Sequence, residues 1–296
     1  MVPLFRMNRK TLLILALLLI AVGFIVLIHN RINPVQQETK EKISVVTSFY
    51  PLYFFTSQIA QEHATVINIT PAGAEPHDYE PNTQDIATIE QSDLVILNGA
   101  GLEAWGEKIQ PSLILSLNEK NGKDPHTWLD PILAKQAVEK ITNALVSIDP
   151  QNEPSYQMNS TILLGKLDAL DASFKQNLSS CKQSTAITSH AAFGYLAARY
   201  GFSQISISGI SPDDEPSPQK LAEITKLAKT KGVHFIFFET LVSPRLAETI
   251  AQEIGAKTLV LDPIEGVTDE NAQTGKNYFT IMKDNLTNLR TALECK

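Results

Sequence analysis

Three histidines stand where an imidazole has chemistry available to it. His77 lies in "PAGAEPHDYEP", between Pro76 and Pro81 and among Glu75, Asp78 and Glu80; His126 lies in "DPHTWLDP"; His190 closes "STAITSH". An imidazole held beside carboxylates serves as a metal ligand, as a general base, or as the polar side of a surface turn. Asp262, closing "KTLVLD", is a fourth candidate. Imidazole nitrogens with a carboxylate oxygen form a ligand set that zinc accepts in tetrahedral geometry. No HExxH or CxxC spacing occurs, so no local motif names the metal.

Residues so far apart must be gathered by a fold. "ISVVTSF" (43–49), "ATVINIT" (64–70) and "DLVILNG" (93–99) are β-branched or apolar runs that read as buried strands, with helical periodicity over 50–63 and 82–91 between them. Strands separated by helices imply parallel pairing through crossovers. From Pro131 to Leu178 the period is helical, broken at "DPQNEP" (149–154), and Ser155 to Leu178 reads as one long spine. The alternation then resumes with strands at "STAITSH", "QISIS", "VHFIFFE" and "KTLVLD", helices between them, and a last helix from about Lys276. The expected architecture is α/β: two lobes with parallel sheets, each lobe with its own core, joined by one long helix. Open α/β sheets bind ligands beyond the carboxyl ends of their strands. The histidines and Asp262 lie at such ends or in the loops that follow, so the natural meeting place is the cleft between lobes. The expected divisions are 1–42 for an N-terminal segment and linker, 43–150 for the first lobe, 151–180 for the linking helix and 181–296 for the second lobe.

Composition narrows the functions. With 25 Lys plus Arg against 32 Asp plus Glu and a formal charge of −7, the chain has no basic field for nucleic acid. "TLLILALLLIAVGFIVLI" (11–28) carries no charge and follows Arg6, Arg9 and Lys10, a pattern that predicts a membrane segment with the remainder of the chain exported. Retention as an anchor is expected over cleavage as a signal, because no small-residue cleavage site follows. Outside the cytoplasm the two cysteines, Cys181 and Cys295, are expected to pair, tying down the C-terminal helix; two free thiols are the other reading. His63 and His234 read as structural, Glu239 as a residue that orients a ligand or closes the cleft, and Trp105 and Trp128 as core or cleft wall.

"GAEPHDYEP", "DPHTWLDP", "TSHAAFGYLAARYG" and "SPDDEPSPQKL" together resemble the solute-binding proteins of bacterial zinc and manganese ABC transporters, in the family's order and over residues 43–296. The resemblance implies two lobes with the metal held between them by His77, His126 and His190 and by a carboxylate from "LDPIEG". Asp262 matches one branch of the family and Glu265 another. Histidine at position 190 matches the zinc-type members, where manganese-type members carry glutamate, and three imidazoles favour zinc over the harder manganese ion. The implied function is capture of extracytoplasmic zinc by a monomer and its delivery to a membrane permease, without catalysis. A manganese-binding protein of the same family and a zinc-dependent hydrolase are the alternatives. Two departures stand out: "PSLILSLNEKNGK" holds no histidine where many zinc members carry a His-rich loop, and no lipid-carrying cysteine follows the apolar segment.

Overall fold

The structure, a computed structural model, describes residues 8–32, 42–119 and 123–296. Helix α1 (Arg9–Ile32) belongs to one compact unit and Lys42–Lys296 to another. The membrane-spanning helix expected over 11–28 is not found: among the described residues no helix is long and apolar enough to cross a membrane. That run includes position 12 and positions 26–28, whose side chains lie outside the described residues, as does most of the expected linker, 33–41.

In the second unit β1 (Ile43–Thr47) leads into α2 (Tyr50–Ala60), whose Pro51 supplies a preset φ to the first turn. After β2 (Ala64–Asn68), α3 (Thr83–Glu90) starts from a capping box in which Asn82 and Asp85 bond each other's backbone N–H. Strands β3 (Leu94–Leu97) and β4 (Ile114–Ser116) complete an all-parallel sheet of order β2-β1-β3-β4. Strand β4 was not anticipated from the sequence. It is a half-exposed edge of 3 residues, too short to show a period.

Asp130 caps α4 (Pro131–Ile148), accepting from the N–H groups of Ile132 and Leu133, and α5 (Glu153–Asn177) follows. At 1.5 Å per residue, the 25 residues of α5 span roughly 37 Å. Leu163, Leu167, Leu170 and Phe174 form its buried stripe, and the Asn159 amide donates to the Ile59 carbonyl at the end of α2. The second half repeats the first in plan. Strands β5 (Thr185–Thr188), β6 (Ser203–Ser206), β7 (Phe235–Phe238) and β8 (Lys257–Val260) pair in the parallel order β6-β5-β7-β8. Between them run α6 (Gly194–Tyr200), α7 (Pro218–Lys231) and α8 (Arg245–Ile254); α9 (Asp269–Gln273) and α10 (Tyr278–Ala292) close the chain. Gly232 and Gly255 end α7 and α8 in the left-handed region that a side chain would resist.

The expectation that each lobe has its own core needs correction. Each sheet does have a private outer layer: Val46, Ile89, Val95 and Trp105 on the first, and Ile187, Ile224, Ile236 and Ile250 on the second. The largest cluster is shared, running from Val45 and Phe49 through Leu163 and Phe174 of α5 to Phe193, Tyr278 and Leu289. The link goes beyond α5. Trp128 Nε1 donates to the Pro263 carbonyl at 2.7 Å, the Tyr278 hydroxyl donates to the Trp128 carbonyl at 2.6 Å, and Arg199 of α6 pairs with the Asp130 cap of α4.

Cys181 and Cys295 form a disulfide that joins the approach to β5 to the segment after α10, flanked by backbone bonds from Gln183 N–H to the Leu293 carbonyl and from Lys296 N–H to the Ser180 carbonyl. It closes a loop with a sequence separation of 114 residues. Constraining the unfolded chain over such a loop is worth roughly 2–5 kcal/mol. Cys295→Ser should therefore lower the unfolding free energy by about that amount in denaturant titrations while leaving the far-UV spectrum unchanged; equal midpoints for variant and parent would show that the bridge adds no stability.

Candidate metal centre

Loops at the carboxyl ends of both sheets converge on one buried point. His77 follows β2, His126 follows β4, His190 follows β5 and Glu265 follows β8. His126, His190 and Glu265 are fully buried, and His77 nearly so. The Nε2 atom of His126 lies 3.3 Å from Nε2 of His77 and 3.2 Å from Nε2 of His190. Glu265 Oε1 lies 3.3 Å from His77, 3.2 Å from His126 and 3.3 Å from His190, in each case measured to Nε2. The remaining separation, His77 to His190, is within 4.8 Å. A regular tetrahedron with edges of this length has its centre about 2.0 Å from every corner, which is the distance at which zinc binds imidazole nitrogen.

The protonation pattern makes the cluster more demanding than its distances. Asp124 Oδ1 sits 2.8 Å from Nδ1 of His126, and both Glu239 oxygens sit within 2.8 Å of Nδ1 of His190. A carboxylate only accepts, so each Nδ1 carries the hydrogen and each neutral ring turns the lone pair of Nε2 to the centre. Buried lone pairs at this separation, facing a carboxylate oxygen, call for a cation. Without a metal that cation is the proton. Burial by itself would pull the His190 imidazole down, but its bonds to Glu239 and Glu265 outweigh burial and push it up to about 10. His126 is likewise raised: burial opposes, and Asp124 and Glu265 prevail. Burial would lift Glu265, yet the three imidazoles hold its carboxyl well below the usual carboxylate range.

Asp262, the first choice for the carboxylate, lies outside this cluster. Its Oδ2 accepts from the Thr240 hydroxyl at 2.7 Å and its Oδ1 from the Ile264 N–H at 2.7 Å, while its backbone exchanges bonds with the Asn285 amide. Burial pushes its carboxyl up to about 6 against those bonds. Asp262 instead shapes the turn that delivers Glu265. In that turn Ile264 is fully buried at φ 59°, a region a β-branched residue enters only under strain of roughly 1–3 kcal/mol. The bond from Trp128 to the Pro263 carbonyl and the packing of Ile264 in the shared core hold it there.

The acidic residues around His77 divide. Glu75 turns inward, where its Oε1 accepts the His77 N–H at 3.2 Å, and burial, helped by the Glu265 charge, pushes its carboxyl up to about 8. Asp78 and Glu80 are exposed, and Glu80 reaches Lys108 at 3.9 Å. His63 packs edge-on against Tyr156, and His234 meets Glu294 near the disulfide, both outside the cluster. Glu239 has the orienting contact expected of it. Asp124 was missed, although it stands two residues before His126 in a quoted motif.

Residues 45–292 match the family described as zinc-uptake complex component A, periplasmic (ZnuA). The chain belongs to this family. The high-affinity zinc uptake system protein ZnuA of Bacillus subtilis (strain 168) is 38% identical over 284 residues, or 86% of this chain and 89% of that protein. The zinc-binding lipoprotein AdcA of Streptococcus pneumoniae serotype 4 is 36% identical over 287 residues, but the match covers only 56% of its length. Among solved structures, the Zn(II)-bound ZnuA-like domain of S. pneumoniae AdcA aligns with a TM-score of 0.76 at 36% identity, covering 86% of this chain and 100% of that one. The laminin-binding protein Lmb of Streptococcus agalactiae, described as bifunctional with adhesin and metal transporting activity, aligns with a TM-score of 0.79 at 35% identity, covering 85% and 99%. The two-lobed α/β fold is thus that of the family.

The raised His190 imidazole carries a stability consequence in metal-free protein. A group held above its unfolded value of about 6.5 stabilises the fold fully below that pH and loses the contribution as pH rises through the folded value. Protein stripped by a chelator should therefore lose stability from pH 7 towards about 10, and Glu239→Gln should flatten that decline. Parallel profiles for the two proteins in pH-dependent urea unfolding would show that Glu239 does not hold the proton on His190.

Proposed function

We propose that this protein captures zinc outside the cytoplasm and delivers it to the membrane permease of an ABC transporter, acting as a monomer and without covalent chemistry, with the apolar N-terminal segment serving its export. His77, His126 and His190, through Nε2, and Glu265, through Oε1, are the proposed ligands. The observation that carries the reading is the convergence of these four atoms from two sheets at separations that fit a tetrahedral ion. Three nitrogen donors suit zinc better than manganese, which prefers oxygen. A hydrolytic zinc site keeps a position open for water, whereas four protein donors suit a site that holds and passes on its ion. The periplasmic family and the zinc-bound relatives support the same reading.

Zinc titrations with a competing dye should show His77→Ala, His126→Ala, His190→Ala and Glu265→Ala each weakened at least about a hundredfold, or roughly 2.8 kcal/mol, with manganese bound more weakly than zinc by the parent. Asp262→Ala should lose thermal stability more than affinity, since its carboxylate supports the turn. Wild-type affinity in any one of the first four variants would remove that residue from the ligand set.

Protons and zinc compete for the same nitrogens. Because His190 is held up to about 10 before metal arrives, zinc has to displace a proton at neutral pH. Apparent affinity should therefore keep climbing above neutrality, by about one decade per pH unit between pH 7 and 9. A profile flat from pH 7 to 9 in noncoordinating buffer would mean that no imidazole in the cluster is protonated before zinc binds.

A further inference from the structure

One pocket reaches the centre without touching an imidazole. It has a volume of about 250 Å³, and Tyr50, Tyr53, Asn68, Thr70 and Asp269 line it together with Glu265. Its chemistry is lopsided. Glu265 Oε2 and Asn68 Oδ1 are both buried and, among the described residues, neither has a protein donor. Oε1 of Glu265 is turned to the three imidazoles, so Oε2 is the oxygen left for this side. The Asn68 amide is already fixed by donating its Nδ2 hydrogen to the Thr70 carbonyl at 2.7 Å, which leaves Oδ1 as a pure acceptor. Asp269 adds an exposed carboxylate in the first turn of α9. Unpaired buried acceptors are costly, by roughly 1–3 kcal/mol each, unless a donor visits them.

A hydrated divalent cation is such a donor. Its bound waters present only O–H groups outward, and a shell of about six of them occupies roughly 180 Å³ at liquid density. We propose that this pocket is the vestibule of the metal centre: the hydrated ion is held by acceptors, meets Glu265 first, and exchanges its waters for Glu265 and then for the imidazoles. The order follows from the walls, since among the described residues no histidine lines the pocket. A second pocket, bordered by Asp262, Lys276 and Thr287, runs beside the same loop but does not include Glu265. The vestibule rests on the zinc reading given above and adds the path by which zinc arrives and leaves.

Ala272 lies exposed in the vestibule wall and Thr287 lies exposed in the wall of the Asp262 pocket, and neither belongs to the four-residue cluster. The experiment is stopped-flow zinc uptake and chelator-driven release on the full chain, with equilibrium affinity measured in parallel. A barrier in a path slows both directions equally, so Ala272→Trp should reduce uptake and release together by about tenfold at unchanged affinity, while Thr287→Trp keeps wild-type rates. Asn68→Leu, which replaces an acceptor by an apolar group, should slow uptake in the same way. Wild-type rates in both Ala272→Trp and Asn68→Leu, or equal slowing by Thr287→Trp, would overturn the route while leaving the zinc function standing. Failure of the parent protein to bind zinc at equilibrium would overturn the function and the route with it.

Discussion

Lone pairs that face one another in a buried site repel, and this constraint organises the chain. Three imidazole nitrogens and a carboxylate oxygen meet at separations near 3.3 Å, too close to admit a water between them. Their arrangement costs free energy unless a positive charge sits among them, so the fold must supply rigidity enough to prevent the loops from springing apart. It does so by drawing the donors from both sheets and joining those sheets through one shared core. A proton offsets that repulsion in the metal-free state, and under the proposed function zinc takes the proton's place.

The supports around the centre divide the labour by chemistry. Asp124 and Glu239 fix ring orientation and tautomer, and their charges raise the basicity of the nitrogens opposite. Asp262 acts on backbone, holding the turn in which Ile264 adopts its strained conformation and aims Glu265 inward. Trp128 donates to the carbonyl of Pro263, so the loop that carries His126 and the loop that carries Glu265 are pinned to one another. A shift in either loop is therefore felt by clustered side chains from both sheets.

Most of this plan was legible in the chain. Runs of β-branched residues and helical periodicity placed seven of the eight strands among the described residues and the spine helix, and strand-end position singled out His77, His126 and His190. What escaped notice depended on contacts rather than on pattern. Strand β4 is too short for a period. The sequence offers both Asp262 and Glu265 as the fourth carboxylate, and what it does not show is the left-handed turn at Ile264, which isoleucine gives no reason to expect and which brings the Glu265 oxygen to the three imidazoles. Asp124 needed the ring orientation of His126 to declare its role. The shared core was hidden because a buried stripe on a helix does not say which sheet covers it.

The great sequence distance between His77 and Glu265, 188 residues, has a bearing on the protein's biogenesis. A chain threaded out of the cytoplasm N-terminus first presents its four donors one at a time, with the carboxylate last. Until β8 and its turn have emerged, the three histidines lack both their anionic partner and the Trp128 anchor at Pro263. Under the proposed function, the nascent chain is therefore a poor chelator until β8 and its turn have folded, and zinc capture begins only with the completed fold.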